Sequence, residues 1–354
     1  GRAANAALGD ARARIAKLLG AKESEIYFTA SGSEADNWAV KGAAYANRDR
    51  GKHIVSTKIE HHAVLNSLKS LEREGFEVTL VDVDQGGRVS PEAVANAVRE
   101  DTVLVSVMTA NNEVGTIEPI AEISAAVKQK NRKTLIFTDA VQAAGTLRLD
   151  VRELGVDMLS LSGHKLHAPK GVGALYIRNG IRVSNLIDGG GQERSRRGGT
   201  ENLPYIIGLA KALEDAVAGI DENARVSAMR DRLIDGILDK IPYTRLNGAR
   251  EQRLPGNVNI SFDYIEGESL LLWLDMNGIC ASTGSACSSA SLEASHVLLA
   301  LGVPVESAHG SLRLSLGRDN TDDDVDYILR VLPGIVERLR AMSPLYEKVN
   351  GSKI

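Results

Sequence analysis

The sequence predicts an α/β protein whose first part holds a mostly parallel sheet between helices and whose last part is a smaller α+β domain. Strand-like and helix-like segments alternate along the first part, which is typical of right-handed crossovers between parallel strands. The strand-like segments are short, β-branched and apolar on both faces, as in a buried parallel sheet. After residue 240 the order of segments changes, so we predict a large domain over 1–240 and a small one over 241–354.

Each segment is defined by its hydrophobic period and by the turn residues beside it. After an Ala/Arg-rich helix, the large domain runs EIYFTA (strand), SEADNWAVKGAAYANR (helix), HIVSTK (strand), AVLNSLKSLEREG (helix), FEVTLVDV (strand), PEAVANAVRE (helix), TVLVSVMTA (strand), IAEISAAVKQKN (helix), TLIFTDA, DMLSLSG and VGALYI (strands). It ends with a polar, Gly-rich stretch and a long helical region from about Pro204 to Lys240. The small domain runs NVNISF (strand), ESLLLWLDMNG (helix), a Ser-rich loop, SHVLLALG (helix), SLRLSL (strand) and a closing helix.

Composition excludes several classes of function. The 354 residues are 43% hydrophobic and 25% charged, with a net charge of −4, so neither nucleic acid nor a membrane is an expected partner. The N-terminal stretch lacks the apolar block of a signal peptide. Two cysteines in a chain of this size form no disulfide framework, which favours a reducing cytoplasm.

The segment from Thr29 to Asn37 follows a strand and opens a helix. Ser31, Gly32 and Ser33 would present backbone N–H groups and hydroxyls to an anion there, where the helix dipole also favours negative charge. An ordinary N-cap by one of the serines is an equally good interpretation. The segment matches neither the dinucleotide fingerprint nor the Walker pattern.

Three further polar groups follow predicted strands, where ligands of open α/β sheets bind. Asp139, with Gln142 after it, either caps the next turn or pairs with a protonated ring nitrogen, as in pyridoxal phosphate (PLP) sites. The other two groups are the pairs His61–His62 and Asn111–Asn112. Each pair is either part of a solvated turn or part of a binding site.

Lys165 stands between His164 and His167, with apolar sequence on both sides. It is either a surface lysine on a turn or an amine nucleophile that loses water, since desolvation and nearby cations depress an amine pKa. The sequence thus contains a possible anion-binding segment at Thr29 to Asn37, then Asp139 at a strand end, then Lys165 in a loop. These groups occur in the same order in PLP enzymes.

The two cysteines differ in their surroundings. Cys280 lies in a short apolar stretch and is predicted to be a buried structural thiol. Cys287 is surrounded by Ser, Gly and Ala, in a loop where a reactive thiol is expected.

From about Ala4 to Leu345 the chain resembles the group I cysteine desulfurases, which are class V aminotransferase-like PLP enzymes of fold type I. The resemblance implies a large domain with a seven-stranded, mostly parallel sheet, a homodimer, and transfer of sulfur from L-cysteine to an enzyme persulfide with release of L-alanine. It also implies an iron–sulfur scaffold or another sulfur-acceptor protein as partner. Members of the family begin with a strand and an Asn-Ala-Thr loop that help to line the site, and we expect this segment to be absent ahead of Gly1. The motifs that carry the resemblance are SGHKLHAPKGVGALYIR, TDAVQAAG, EHHAVL, NNEVGTI, GGGQERSRRGGTEN, IEGESLL and TGSACSSASLEASHVLLALG.

The resemblance assigns a role to each candidate residue. Lys165 would bond to the cofactor and move the substrate proton, Cys287 would accept the sulfur, and Arg313 would bind the substrate carboxylate. Ser33 stands where the family usually has Thr. The remaining assignments are His61 stacked on the ring, Asn112 beside cofactor and substrate, Asp139 on the pyridine nitrogen, Gln142 on the ring hydroxyl, Gly32, Ser33, Ser162 and His164 on the phosphate, and Thr200 reaching the phosphate of the partner subunit.

Two other functions remain open at this point. One is a selenocysteine lyase or a different class V PLP enzyme, against which the Thr-Gly-Ser-Ala-Cys loop argues. The other is a catalytically silent scaffold or regulatory subunit, against which the set of Lys165, Asp139 and Cys287 argues.

Overall fold

The computed structural model describes residues 1–284 and 294–351. It divides into two compact units. The first unit contains residues 1–82, 89–111 and 118–220, and the second contains 83–88, 112–117 and the chain from 221 onward.

The first unit is built on a seven-stranded sheet with the strand order β1-β7-β6-β5-β4-β2-β3. The five strands from β6 to β3 in this order run parallel to their neighbours, whereas β7 is antiparallel to both β6 and β1. This confirms the predicted mostly parallel sheet. The strands are β1 (Ile26–Thr29), β2 (His53–Thr57), β3 (Glu77–Val81), β4 (Thr102–Ser106), β5 (Leu135–Asp139), β6 (Met158–Ser162) and β7 (Gly173–Ile177).

The helices of this unit lie between the strands along the chain. Their bounds are α1 (Arg2–Leu18), α2 (Gly32–Asn47), α3 (His62–Arg73), α4 (Pro91–Ala97), α5 (Ile120–Lys130), the short turn α6 (Gln192–Ser195) and α7 (Leu203–Ala218). In α3 the buried residues Val64, Leu68 and Leu71 recur at helical spacing, which places one apolar face on the sheet. That face joins a core that includes Trp38 and Phe137.

Strand β3 departs from the predicted burial on both faces. Glu77, Thr79 and Leu80 are exposed, because β3 is an edge strand that pairs only with β2. A strand at an edge has one neighbour, and a charged side chain there discourages pairing with another chain.

The Gly-rich stretch contains a left-handed turn. Glu193, Arg194 and Ser195 have φ values of 45°, 56° and 62°, a conformation that costs an L-residue about 1–2 kcal/mol. Buried contacts hold the turn: Arg12 donates two hydrogen bonds to the Glu193 carboxylate at 2.7 and 2.8 Å, and Arg194 lies over the ring of Tyr27. The stretch that leads to Thr200 is therefore tied to the first unit.

The second unit contains a three-stranded antiparallel sheet with the order β10-β9-β8. Three of its elements, β8, α11 and α13, were not predicted, because the sequence analysis expected a single closing helix. Its strands and helices are α8 (Asn223–Lys240), β8 (Thr244–Leu246), β9 (Asn257–Phe262), α9 (Gly267–Met276), α10 (His296–Ala300), α11 (Val305–His309), β10 (Ser311–Ser315), α12 (Asp322–Ala341) and α13 (Pro344–Gly351).

The long helical region predicted from Pro204 to Lys240 is two helices. Gly219 caps the end of α7, and a short 3-10 turn leads into α8. The sequence analysis placed α8 in the large domain, but its apolar residues, such as Leu233 and Ile237, pack in the core of the second unit.

Within the described residues, no helix is both long enough and apolar enough to cross a membrane.

Candidate active site

Two strand ends and one helix start meet in the first unit. Asp139 ends β5, and Ser162 ends the neighbouring strand β6. Gly32 opens α2 and lies so close that a Cβ on it would stand 2.8 Å from Val141 Cγ2 and 3.0 Å from Ser162 Cβ. No larger residue fits at Gly32 without a shift, so the start of α2 lies directly against the end of β6.

The carboxylate of Asp139 is buried and accepts a hydrogen bond from the backbone N–H of Val141 at 2.8 Å. Burial raises its pKa to about 6, while that hydrogen bond and the positive charge of Lys165 act in the opposite direction. A carboxylate in this setting gains most from a cationic partner, because the partner compensates for the lost hydration.

Lys165 lies on a 3-10 turn, Gly163–Leu166, directly after β6. Its side chain is exposed on this turn, and the loss of water that a bond to the cofactor would bring stays a prediction. The apolar sequence around it belongs to the buried strands β6 and β7 and to Leu166, whereas the turn projects from the end of the sheet. Lys165 is therefore exposed and Asp139 buried, and the charge of Lys165 acts on the Asp139 carboxylate.

His61 is the N-cap of α3. Its Nδ1 accepts a hydrogen bond from the backbone N–H of Ala63 at 3.1 Å, so that nitrogen carries no proton and Nε2 carries one. The ring is half-buried. Gln142 is also half-buried, on the turn after Asp139. Both residues follow strands of the same sheet, as the sequence analysis expected.

The other residues predicted for the phosphate are more exposed. Ser33 and His164 are exposed, and the pKa of His164 is lowered by partial burial and by the charges of Lys165 and Lys170. Ser31, rather than Ser33, caps α2 by accepting from the N–H of Glu34 at 3.1 Å. The hydroxyl of Ser33 therefore remains available at the first turn of the helix.

Thr200 is exposed and lines a cavity of about 180 Å³ together with Thr29 and Ala30. Arg197 holds this segment against α2 through two hydrogen bonds to the Glu34 carboxylate at 2.8 and 3.0 Å. The contact of Thr200 with a partner subunit stays a prediction.

Two buried carboxyl groups near Asp139 were not predicted as site residues. Asp36 accepts from Ser160 Oγ at 2.6 Å, and Ser160 is the residue opposite Asp139 in the sheet. The pKa of the Asp36 carboxyl is raised well above its ordinary value, first by burial and then by the charge of Asp139. Asp36 shares a helix face with Ala39 and Ala43, so its spacing from these small residues is a signal that could have revealed its burial.

Glu60 is the second of these buried acids. It accepts from Thr57 Oγ1 at 2.6 Å and from the N–H of Met108 at 3.1 Å. Burial raises its pKa to about 8 despite these two hydrogen bonds. The glutamate precedes His61 directly after β2, and that position at a strand end could have marked it.

The two residues predicted for the substrate lie together in the second unit. Arg313 is half-buried on β10, and its Nη1 donates to the backbone carbonyl of Asn112 at 2.6 Å. The backbone of Arg313 also pairs in both directions with Ser282, at 2.6 and 3.1 Å. An arginine fixed in this way is suited to bind a carboxylate.

Cys287, the predicted nucleophile, lies outside the described residues. Cys280 was predicted to be buried, but it is exposed. The buried residue of this stretch is its neighbour Ile279, and successive side chains of an extended chain point in opposite directions. Cys280 is therefore an accessible second thiol.

Comparison with known proteins identifies the family of the chain. The class-V aminotransferase family model matches residues 1–328. A relative from Clostridium botulinum, named cysteine desulfurase IscS, is 58% identical over 340 residues, which are 95% of this chain and 85% of that protein. A solved NifS-like protein superposes with a TM-score of 0.89 at 41% identity, over 96% of this chain and 90% of that one.

A second solved structure, SspA in complex with cysteine, has a TM-score of 0.78 and 34% identity, with 90% of this chain and 89% of that chain covered. The family match spans most of the chain, and the seven-stranded sheet carries the predicted residues at its strand ends. The chain belongs to the class-V aminotransferase family.

Proposed function

We propose that this protein is a PLP-dependent cysteine desulfurase, which converts L-cysteine into L-alanine and keeps the sulfur as a persulfide on Cys287. The observation that carries the proposal is the buried Asp139, with the charge of Lys165 acting on it, at the end of the central strand β5. The names of the relatives, cysteine desulfurase IscS among them, support the same activity.

The residues present fit PLP. The bare backbone at Gly32, packed against Ser162 and Val141, leaves N–H groups at the start of α2 to receive a phosphate. Ser33, Ser162 and His164 would add polar contacts to it. The PLP ring supplies an electron sink for bond breaking at the substrate Cα and Cβ when it is bound.

The side chains of the first unit would hold and orient the ring. Asp139 would pair with the ring nitrogen, where its buried carboxylate favours a positive charge. His61 would stack on the ring face and Gln142 would contact the ring hydroxyl. Lys165, on its exposed turn, would hold the cofactor covalently and, as a free amine, take the proton from the substrate Cα.

The second unit would supply the groups for substrate and sulfur. Arg313 would bind the substrate carboxylate beside Asn112. The Cys287 thiolate would attack the substrate sulfur, so that one C–S bond breaks while one S–S bond forms. One protein thiol and one L-cysteine thus give one persulfide and one L-alanine, and no outside oxidant or reductant is needed.

The proposal includes partners as well. A homodimer would bring Thr200 to the phosphate of the partner subunit, and its exposed side chain beside the cavity is compatible with such a contact. An iron–sulfur scaffold or another acceptor protein would take the persulfide sulfur. The proposal also places the protein in the cytoplasm, which the small number of cysteines supports.

The test is a single-turnover assay of the purified protein with PLP. We expect a cofactor absorbance band, and one L-alanine from L-cysteine per active site in the absence of an added thiol. Release of alanine from selenocysteine but not from cysteine would assign a selenocysteine lyase instead. A protein that binds PLP without releasing alanine from either substrate would be a silent scaffold.

A further inference from the structure

Arg313 is held by the backbone of a neighbouring turn, residues 112–115 of the second unit. Its Nη1 donates a hydrogen bond to the carbonyl of Asn112 at 2.6 Å. The next carbonyl along the chain, that of Glu113, accepts a hydrogen bond from the side-chain amide of Asn257 at 3.0 Å. A group that fixes the Asn257 amide therefore also helps to fix the backbone that receives Arg313.

A buried arginine determines which way the Asn257 amide faces. Arg253 is 3% exposed, and its Nη1 donates to Asn257 Oδ1 at 2.8 Å. An asparagine amide has an acceptor oxygen on one side and a donor nitrogen on the other, whereas a guanidinium has only donors. A reversed amide would place donor against donor at Arg253, so the nitrogen of Asn257 must face the Glu113 carbonyl.

The guanidinium of Arg253 is fixed in turn by the loop around it. Its Nε donates to the carbonyl of Ala249 at 2.7 Å, its Nη1 also to that of Asn257 at 3.3 Å, and its Nη2 to that of Asn247. These acceptors are neutral oxygens. A buried charge is costly even when it is hydrogen-bonded, and an apolar side chain of similar volume is often as stable. Stability alone therefore does not explain an arginine at this position.

The turn 112–115 packs closely against the Asn257 side chain. Gly115 has a φ of 75°, and a Cβ built on it would lie 2.5 Å from Asn257 Cγ. The carbonyl of Gly115 accepts a hydrogen bond from the N–H of Leu254 at 2.8 Å, and Thr116 pairs with Arg253 as an antiparallel bridge. The turn and the loop of Arg253 therefore lie side by side, with Asn257 between their polar groups.

We propose that Arg253 is a positioning residue for the substrate carboxylate, which acts by orienting the Asn257 amide. The oriented amide holds the turn 112–115, and the turn holds the guanidinium of Arg313. This role rests on the proposed function, in which Arg313 touches the carboxylate of the substrate. Binding of a ligand that has a carboxylate should then depend on Arg253, and binding of the same ligand without its carboxylate should not.

The experiment measures how tightly L-alanine and ethylamine bind to the PLP-loaded protein, from the absorbance change of the cofactor. The two ligands differ only in the carboxylate, and neither needs a thiol. The parent is compared with Arg253→Met and with the matched control Arg340→Met. Arg340 is also buried in the second unit and also donates to backbone carbonyls, those of Asp263 at 3.1 Å and Tyr243 at 3.0 Å. Urea unfolding records the stability of each protein.

We expect Arg253→Met to raise the dissociation constant of L-alanine about tenfold or more, since a hydrogen bond from a charged group is lost. The dissociation constant of ethylamine should stay within about threefold, because this ligand makes no contact with Arg313. Arg340→Met should also lose stability but should bind both ligands like the parent. Asn257→Ala, which removes the amide itself, should show the pattern of Arg253→Met and serves if that variant does not fold.

Equal losses for L-alanine and ethylamine in Arg253→Met would overturn the positioning role, because they would show a general loss of structure. L-Alanine binding at parental strength in Asn257→Ala would overturn it too, and so would a carboxylate-specific loss of the same size in Arg340→Met. If the parent releases no alanine from L-cysteine, the desulfurase function fails. A carboxylate-specific loss confined to the Arg253 and Asn257 variants would still support the positioning role in that case.

Discussion

The groups proposed for the cofactor and those proposed for the substrate are held in place in different ways. In the first unit, Asp139 and Ser162 end adjacent strands of a regular sheet, and three acids are buried around this point. In the second unit, residues 112 and 113 are fixed by side-chain hydrogen bonds from Asn257, Asn259 and Arg313. Substitutions among the buried acids of the first unit should change charge and protonation at the cofactor site. Substitutions among the hydrogen-bonding residues of the second unit should change the positions of the substrate-binding groups.

Replacement of Lys165 by Ala gives the largest expected effect. The variant loses the amine that would hold the cofactor and move a proton, a role that contributes typically about 10²–10⁴-fold to the rate. Because Lys165 lies exposed on a turn, the fold should survive. Borohydride reduction followed by peptide mapping should find no cofactor on the chain, and cofactor trapped on another lysine would refute the assignment.

Asp139→Asn should lower the turnover rate by about tenfold to a hundredfold, which corresponds to loss of one buried hydrogen bond to a charged group. An amide of the same shape cannot stabilise a positive ring nitrogen. PLP should remain bound, which the cofactor absorbance after gel filtration would show. Activity within a few-fold of the parent would rule out the proposed pairing of Asp139 with a positive ring nitrogen. It would also contradict the claim that the groups of the first unit act through charge.

Glu60 gives the first unit a pH-dependent stability. Its folded-state pKa of about 8 lies above the ordinary 4.5, so the folded protein binds the extra proton between these values. That contribution is fully present below pH 4.5 and is lost as the pH rises through about 8, at up to about 1.4 kcal/mol per pH unit.

Urea unfolding of the parent and of Glu60→Gln over this pH range checks the expectation. The parental free energy of unfolding should fall more steeply with pH than that of the variant, because glutamine has no proton to lose. Parallel curves would show that Glu60 is ionised in the folded protein, contrary to its burial.

Asn259→Ala is the corresponding test for the second unit. It removes the hydrogen bond to the Glu113 carbonyl at 3.0 Å and the one that Asn259 Oδ1 accepts from Asn247 at 2.8 Å. We expect a loss of about 1–3 kcal/mol in the free energy of unfolding and a higher KM for L-cysteine, with the cofactor absorbance unchanged.

The control is Asn277→Ala, which loses a similar amide-to-carbonyl hydrogen bond, to Trp273 at 2.8 Å, without touching residue 113. A KM change of equal size in the control would remove the distinction between the two sets of residues.

The same difference explains what the sequence could predict. Asp139 follows the apolar run TLIFT, and Ser162 and the turn of Lys165 follow the run DMLSL, in which leucines alternate with polar residues. Hydrophobic pattern therefore places these residues at strand ends. The exposure of Cys280 was not predicted, because apolar neighbours in sequence do not show which way a side chain points. Glu113 contacts residues that are 144 and 182 positions away in the sequence, and no local pattern predicts such pairs.

The central claim is that sulfur from L-cysteine arrives on Cys287. The most direct test treats the PLP-loaded protein with one equivalent of L-cysteine, blocks free thiols and maps both cysteines by mass spectrometry. The account predicts a persulfide on Cys287, an unmodified sulfur on the accessible Cys280, and no sulfide release from Cys287→Ser although cofactor and substrate still bind. A persulfide on Cys280, or undiminished turnover of Cys287→Ser, would contradict it.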